Sequence, residues 1–499
     1  MSKKSCQPWS ARCNVQMSRA HPRLASTRSR KKKERARGGL SLRNNLAYTH
    51  HVKAYLVAIG VLAACSSTAA PPDCPGDRAD CRASCAYGAG DLATLTLGDF
   101  TRLGKRIPID HIVLVMQENR TFDHYFSSLT VPRQTLDGAA PDATNPDPMN
   151  PGGTISRFHQ TEYCLDNPAE SWDQVHREIN GGKLDGFTIE NALDDPIGDP
   201  SGRRTMGYYD ETDLPYYYAL ARAFAISDRH FSSAQANSWT NRVFYMAGTA
   251  FGITSNVMPP QMDALGFTPP NLFTRLNDAK VTWNFYVDDF PTLAILGDTW
   301  GANISHVQPF NQFFDDAAAG KLASVTFVEG SDMKGGLSPD EDPPADMQVG
   351  QAMVAKVIAA TASAPTWPST ALFLSYDEQG GFYDHVPPPS ACIPDDYAPQ
   401  VGPGGVQAAY DRYGLRIPLI VVSPYAKRGY VSHHVTDHTS LLRFVEARFE
   451  LPALTHRDAN AVPPFDMFDF DHPDLTVPAL PPAAIDELQR AACAAKYPP

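Results

Sequence analysis

Residues 111–126 read HIVLVMQENRTFDHYF, and this stretch decides which fold we expect. Its first half is an apolar, β-branched run of the kind found in strands that are covered on both faces of a parallel sheet. Its second half places Glu118, Asn119, Arg120 and Asp123 directly after that strand. Open α/β sheets bind their ligands beyond the carboxyl ends of their strands. The stretch therefore predicts a buried strand that leads into a functional site.

Four more apolar runs follow along the chain, at residues 282–288, 324–330, 371–378 and 417–424. Helical patterns lie between or after them, at residues 213–227, 347–361 and 436–449. In the last pattern either Thr436 or Asp437 can cap the helix. Strands that alternate with helices indicate an α/β fold with a mainly parallel central sheet.

A second group of carboxylates repeats the opening pattern. The run LSYDEQGGFYDHVPPP, residues 374–389, passes from an apolar strand into Asp377 and Glu378. Together with Glu118 and Asn119, these side chains offer hard oxygen ligands that suit Ca²⁺, Mg²⁺ or Mn²⁺, and carboxylates also hold Zn²⁺. Carboxylate pairs at strand ends also occur as loop caps and solvated turns, and spacing alone does not separate the two readings.

The amino-terminal region differs from the rest of the chain in charge. Residues 1–50 contain 13 Lys or Arg and one acidic residue, although the whole chain of 499 residues has a net charge of −12. The remainder is therefore strongly acidic, which argues against nucleic acid as a partner.

A short apolar run, VKAYLVAIGVLAAC at residues 52–65, follows this basic head. It is too short to span a bilayer, and its end resembles a bacterial lipobox, which predicts a lipid anchor to the membrane at Cys65. The alternative is a short core strand. We expect residues 1–65 to be a head and lipoprotein-type signal, residues 66–104 a tether, and the protein to be exported, either membrane-anchored or secreted.

Six cysteines remain beyond this segment: Cys74, Cys81, Cys85, Cys164, Cys392 and Cys493. An even, scattered set suits disulfides in an oxidising compartment, although their pairing cannot be read from the sequence. A zinc site in the cluster Cys74, Cys81 and Cys85 is the alternative, but no pair of histidines stands at ligand spacing.

Five blocks follow one another along the chain: IDHIVLVMQENRTFDHYF, SDRHFSSAQANSWTNRVFYMAGT, LFLSYDEQGGFYDHVPPP, YGLRIPLIVVSPYAKRGYV and DHTSLLRFVEARFEL. Taken together they resemble the bacterial phosphoesterase family, which contains non-haemolytic phospholipases C and secreted acid phosphatases. The resemblance runs from about Pro108 to Phe470. It implies a three-layer α/β/α sandwich of alkaline-phosphatase type, with a catalytic domain over residues 105–475 and a carboxyl-terminal extension, residues 476–499, packed on it.

The resemblance also implies the parts of an active site. One divalent cation would be held by Glu118, Asn119, Asp377 and Glu378. The segment ANSWTNR, residues 236–242, aligns with the family's nucleophile block and points to Ser238 as the nucleophile. Ser238 could equally cap a helix that starts there, and both roles are compatible because a helix amino terminus favours a bound phosphate.

Three histidines of the family pattern are missing from this chain. In the segment HVQPF, His306 is kept, but Val307 stands where the family has a second histidine. Asp342 in DEDPPADM and Glu170 in AESWDQVH also stand at histidine positions of the family. His176 follows six residues after Glu170. The site could bind an additional metal through Glu170 and Asp342, use a less anionic substrate, or have lost activity. His306 is the candidate for phosphate contact or general acid.

The remaining side chains have less defined roles. Arg120 and Asp123 could orient the metal ligands or form a surface pair.

The sequence thus predicts an exported, metal-dependent phosphoesterase that forms a phosphoserine intermediate and acts on a phospholipid or a phosphate monoester. The alternative is an inactive surface lipoprotein that binds a phosphorylated ligand.

Overall fold

The computed structural model describes residues 74, 77–98, 100, 102–193, 199–257, 269–331 and 333–498. The predictions for the basic head, the signal-like segment and Cys65 lie outside these residues. The strands, in chain order, are β1 (His111–Gln117), β2 (Thr144–Pro146), β3 (Thr154–Ser156), β4 (Phe158–His159), β5 (Gly207–Tyr208), β6 (Ala225–Ser227), β7 (His230–Phe231), β8 (Trp283–Tyr286), β9 (Val307–Gln308), β10 (Val325–Glu329), β11 (Thr370–Tyr376), β12 (Leu419–Val422), β13 (Tyr430–Ser432) and β14 (Thr436–Asp437).

The α-helices are Arg78–Ala83, Ala93–Thr96, Phe122–Phe126, Trp172–Ile179, Phe187–Leu193, Pro215–Ala223, Ser238–Ala247, Leu272–Asp278, Asp298–Asn303, Gln312–Ala318, Met347–Ser363, His438–Phe449, His456–Asn460 and Glu487–Lys496. Within the described part of the chain, no helix combines the length and the apolar character that crossing a bilayer requires.

Eight strands form the central sheet in the order β13-β6-β12-β11-β1-β10-β8-β9. β1 lies at its centre and pairs in parallel with both β10 and β11. β12 runs antiparallel to β11 and to β6, and the other strands of this sheet share one direction. The carboxyl ends of β11, β1 and β10 therefore lie side by side at one edge. The prediction of a mainly parallel α/β sheet is confirmed.

Both faces of this sheet are covered. Consecutive residues of β1, from Ile112 to Val115, are at most 2% exposed, and consecutive side chains of a strand point to opposite faces. On the neighbouring strand β11, Phe373 contacts Phe444 of the helix His438–Phe449, with ring centroids 5.0 Å apart. Such burial on both sides explains why these strands read as continuous apolar runs.

One sequence prediction needs correction. The pattern at residues 213–227 is not one helix, because the helix Pro215–Ala223 ends and Ala225–Ser227 forms β6. Phe224 takes extended backbone angles, and the three residues after it are buried between β12 and β13. The run at 417–424 forms the predicted strand as β12, which is the antiparallel strand of this mainly parallel sheet.

Three disulfides use all six of the predicted cysteines, as Cys74–Cys81, Cys85–Cys392 and Cys164–Cys493. The cluster near residue 80 therefore does not share one metal, since its third cysteine bonds to a distant loop. Cys493 lies in the helix Glu487–Lys496, and the Tyr497 carbonyl accepts a hydrogen bond from the Gly336 N–H at 2.8 Å. The end of the chain is thus tied to the body of the protein.

We expect the Cys164–Cys493 bond to stabilise the protein more than the Cys74–Cys81 bond does. It joins residues 329 positions apart, against 7 for the other bond, and loop closure in the unfolded chain costs more entropy for the longer loop. Replacing both cysteines of each pair by serine should lower the free energy of unfolding by about 5 and about 2 kcal/mol respectively. Urea denaturation of the two variants measures this, and equal losses would contradict it.

Candidate active site

The two predicted ligand pairs meet at the carboxyl edge of the sheet. Of these four residues, Glu118 lines a cavity of about 130 Å³ that we call the carboxylate pocket, and its lining also includes Glu170, Ser238, Arg242, Glu329 and Asp342. A larger cavity of about 920 Å³ lies beside the Cys85–Cys392 disulfide, and none of the predicted site residues lines it. Chemistry rather than size therefore identifies the candidate site.

Backbone contacts bring the loop after β1 against the loop after β11. Asn119 takes a left-handed conformation with φ of 62°, and its N–H donates to Asp377 Oδ1 at 3.1 Å. The next N–H, that of Arg120, donates to the Glu378 carbonyl at 3.0 Å. A Cβ on Gly380 would come within 2.6 Å of the Asn119 Cβ, so this approach requires glycine.

Asp377 and Glu378 are fully buried. Asp377 Oδ1 also accepts the Glu378 N–H at 2.7 Å. Glu378 Oε2 accepts the Gly380 N–H at 2.8 Å, whereas its Oε1 has no hydrogen-bond partner. Burial, followed by the charges of Glu170 and Asp377, raises the pKa of Glu378 well above its usual value. An orphaned buried carboxylate oxygen among other oxygen donors fits a divalent cation.

Arg242 is the residue of this site that the sequence analysis missed. Its side chain is 3% exposed and forms ion pairs with Glu118 at 2.6 Å, with Glu329 at 2.6 Å and with Asp377 at 3.1 Å. Burial alone would lower the pKa of Arg242, but these carboxylates outweigh it and hold that pKa well above its usual value. Arg242 thus joins the ends of three neighbouring strands.

Two signals in the sequence could have found this arrangement. Arg242 closes the segment ANSWTNR four residues after Ser238, and residues four apart share one face of a helix. Glu329 closes the apolar part of the run at 324–330 and is the last residue of β10, while Glu118 and Asp377 directly follow β1 and β11.

Ser238 is the first residue of the helix Ser238–Ala247, and Asn237 is its N-cap. The cap position that we considered for Ser238 therefore belongs to Asn237. Ser238 is 6% exposed, and its Oγ lies 3.5 Å from Asn119 Oδ1. A helix amino terminus presents N–H groups and positive potential, so an anion beside this hydroxyl is favoured.

Glu170 and Asp342, which replace two expected imidazoles, also lie in the carboxylate pocket. Asn119 Nδ2 donates to Glu170 Oε2 at 2.7 Å and to Asp342 Oδ1 at 2.6 Å. Burial, followed by the charges of Glu170 and Asp340, raises the pKa of Asp342 well above its usual value. Two more acids thus lie within hydrogen-bond distance of the Asn119 amide.

The neighbouring Glu341 holds the Asp342 segment in place. Its carboxylate is buried and accepts hydrogen bonds from Tyr125 Oη at 2.7 Å and from Tyr376 Oη at 2.9 Å. Tyr125 also accepts from Arg120 Nε at 2.8 Å, and Arg120 Nη1 donates to the Asn119 carbonyl at 3.1 Å. Arg120 therefore supports Asn119 from within the protein.

Asp123 lies in a different buried cluster. It pairs with His385 Nδ1 at 2.6 Å and with Arg416 at 3.1 Å. Burial alone would raise its pKa, but Arg416 and His385 lower the pKa of Asp123 to about 2. Neither Arg120 nor Asp123 is at the surface, so the surface-pair alternative is wrong.

Ligand atoms of Asp123, Asp384 and His385 lie within 4.8 Å of one another, as do those of His159, Asp210 and Asp213.

The structure does not bring the two predicted histidines into the carboxylate pocket. His306 Nδ1 lies 2.8 Å from the Trp283 carbonyl, and its ring stacks on Trp283 at 4.1 Å between centroids. His176 Nδ1 lies 2.7 Å from the Trp172 carbonyl, and His176 lines a separate cavity. The expected phosphate contact of His306 therefore has no support in this geometry.

Comparison with known proteins gives one consistent set of matches. Residues 109–452 match the model of the Phosphoesterase family. Phospholipase C B of Mycobacterium tuberculosis is 31% identical over 461 residues, which cover 79% of this chain and 85% of that protein. Non-specific phospholipase C6 of Arabidopsis thaliana is 32% identical over 375 residues, which cover 70% of each chain.

Solved structures are more distant. A protein in the alkaline phosphatase superfamily from Vibrio parahaemolyticus aligns over 70% of this chain and 87% of its own, with 8% identity and a TM-score of 0.31. A TM-score this low carries no argument about function.

We expect Arg242→Gln to lower the free energy of unfolding by about 3–5 kcal/mol, because it leaves three carboxylates without their buried counter-charge. The loss should shrink as the pH falls from 8 to 5. Burial already raises the pKa of Glu329, although Arg242 opposes this. An acid whose pKa is higher in the folded than in the unfolded state stabilises the fold more as the pH falls. Denaturant unfolding of the metal-free protein at several pH values measures both effects.

Arg222→Gln is the matched control. Arg222 pairs with Glu211 at 2.5 Å, but the two side chains are 29% and 54% exposed, so its loss should cost less than about 1 kcal/mol. An Arg242→Gln effect no larger than that of Arg222→Gln would show that the ion pairs of Arg242 do not hold the site together.

Proposed function

This chain belongs to the phosphoesterase family, and on that premise we propose that it hydrolyses phosphate esters by attack of Ser238 in a metal-dependent site. It is a hydrolase that acts on phosphoric ester bonds. The observation that carries the proposal is the placement of the Ser238 hydroxyl, which lies 3.5 Å from Asn119 Oδ1 at the amino terminus of a helix and beside the carboxylate pocket.

Glu118, Asn119, Asp377 and Glu378 would hold one divalent cation. Their donors are all oxygens, which suits Mg²⁺, Mn²⁺ or Ca²⁺ and also admits Zn²⁺. The orphaned Oε1 of Glu378 supports this set, since it is buried and has no protein donor. When bound, such a cation neutralises charge on the phosphoryl group and lowers the pKa of a hydroxyl that it contacts.

The reaction that we propose has two displacements. Ser238 Oγ forms a bond to phosphorus while the ester P–O bond breaks and the alcohol leaves with a proton, giving phosphoserine. Water then attacks the same phosphorus, which releases the phosphate product and restores the Ser238 hydroxyl. Arg242 orients the carboxylates around the phosphoryl group under attack, and Asn119 places its amide beside that group. The helix amino terminus supplies N–H donors to the same phosphoryl group.

Relatives named phospholipase C support a phospholipid as the substrate. A phosphodiester of this kind gives a phosphorylated headgroup as the product, whereas a monoester gives inorganic phosphate. Three disulfides support an oxidising compartment. We propose that the protein is exported and is anchored to the membrane through Cys65 or secreted.

We expect Ser238→Ala to lower turnover of p-nitrophenyl phosphate or p-nitrophenyl phosphorylcholine at least about 10³-fold, because it removes the hydroxyl that attacks phosphorus. Ser305→Ala is the control, since Ser305 is exposed and does not line the pocket. After acid quenching, labelled phosphate should remain on the wild type and be absent from Ser238→Ala. A Ser238→Ala variant that keeps most of the activity would refute the proposed nucleophile.

A chelator should remove the activity, and one of the divalent ions named above should restore it. The preferred chromogenic ester then identifies the substrate as a monoester or a diester. Full activity in metal-free protein would refute the metal dependence. A folded protein with no turnover for any added metal would favour the inactive lipoprotein that binds a phosphorylated ligand.

A further inference from the structure

The carboxylate pocket is too small to enclose a lipid. Its volume is about 130 Å³, whereas pockets that enclose a drug-sized ligand measure roughly 300–1,000 Å³. Ser238 lines this pocket and is 6% exposed. A phospholipid therefore presents only its phosphoryl group and the nearest atoms to Ser238, while its glycerol and acyl chains stay outside the mouth of the pocket.

Three apolar side chains lie around that mouth, and we call them the rim: Trp239, Phe290 and Met333. Trp239 and Phe290 line the pocket and stack on each other, with ring centroids 6.2 Å apart and an interplanar angle of 10°. Phe290 is 40% exposed and Met333 is 69% exposed. Exposed apolar side chains that are grouped beside a binding site mark a contact surface, whereas scattered ones need no explanation.

The sheet places Phe290 and Met333 on the same side of the protein as the pocket. Their segments follow β8 and β10, which pair in parallel, so both leave the sheet at its carboxyl edge. Gly330, three residues before Met333, lines the pocket. Ser331 donates a hydrogen bond to Asp289, which joins the two segments beside the mouth. The rim is therefore one surface around the pocket.

The charge beside the rim selects the kind of lipid surface. Among the described residues that line the pocket, five are acidic and Arg242 is the one lysine or arginine. Next to the rim, Lys334 pairs with Asp288 at 3.6 Å, so its charge is offset. Anionic membrane surfaces attract clusters of Lys and Arg, which this surface does not offer. Its charge suits lipids without net charge instead.

We propose that the rim enters the headgroup layer of a membrane whose lipids carry no net charge and brings the pocket onto single phospholipids. This inference rests on the proposed function in its phospholipid form. The headgroup layer is roughly 5–8 Å deep on each side of the hydrocarbon core. A phosphoryl group at this depth reaches the buried Ser238 hydroxyl once the rim displaces the neighbouring headgroups. Aromatic side chains favour this layer of a membrane.

Quenching of tryptophan fluorescence tests the contact. Full-length protein with Cys65→Ser, which cannot be lipidated, is mixed with phosphatidylcholine vesicles that carry bromine on their acyl chains, and a chelator prevents hydrolysis. Bromine quenches only tryptophans that come close to the acyl chains. We expect the vesicles to quench the emission, and Trp239→Phe to be quenched less. Trp300→Phe is the matched control, since Trp300 is also partly buried but does not line the pocket. It should be quenched like the wild type.

Partition onto the same vesicles is the second measurement. Phe290→Ser with Met333→Ser should lower the partition coefficient at least about tenfold, because less apolar area leaves water on binding. Ile304→Ser with Leu475→Ser is the matched control and should leave the coefficient unchanged. Ile304 and Leu475 are 58% and 54% exposed. They lie at the opposite edge of the sheet, one just before β9 and the other bonded to Trp367 just before β11.

Circular dichroism confirms that each variant is folded, and Met333→Ser alone replaces the double variant if that one does not fold. Trp239→Phe that is quenched as strongly as the wild type would overturn the proposal. A rim variant that partitions like the wild type would do the same. Both results leave the proposed function standing, because soluble esters measure it without vesicles. Binding through the rim by a protein that hydrolyses no ester would support the membrane contact and refute the proposed function.

Discussion

The ion pairs of Arg242 are the interaction on which the rest of the site depends. A single buried guanidinium contacts carboxylates at the ends of β1, β10 and β11, and these strands are neighbours at the centre of the sheet. Three acids at the ends of adjacent strands would repel each other without it. Because Arg242 and Ser238 lie on the same helix, the residue that holds the acids together also fixes the position of the hydroxyl.

Much of the fold could be predicted because its strands are buried on both faces. Continuous apolar runs such as residues 111–117 and 371–376 identify such strands without any tertiary information. The direction of β12 could not be predicted in this way, since an antiparallel strand buried on both faces has the same composition. The three residues of β6 were also missed, because a strand so short continues the helical pattern before it.

The candidate site was predictable where motif and strand end coincide. Glu118, Asn119, Asp377 and Glu378 stand directly after β1 and β11, so the topology of the sheet brings them together. His306 shows the limit, because the direction of a ring depends on contacts that sequence spacing does not encode. Here it stacks on Trp283, the first residue of β8, at the end of the parallel strands opposite their carboxyl ends. Arg242 was missed for a related reason, since an arginine within a helix usually faces solvent.

The central claim is that Ser238 and the surrounding carboxylates form one phosphoryl-transfer site that depends on a divalent cation. A crystal structure of the Mn²⁺-loaded protein with bound phosphate, including anomalous diffraction at the manganese edge, tests this most directly. The account predicts manganese between the loops after β1 and β11 and a phosphate whose phosphorus faces Ser238 Oγ. Manganese only at Asp123, Asp384 and His385 or at other distant groups, or a phosphate away from Ser238, would contradict it.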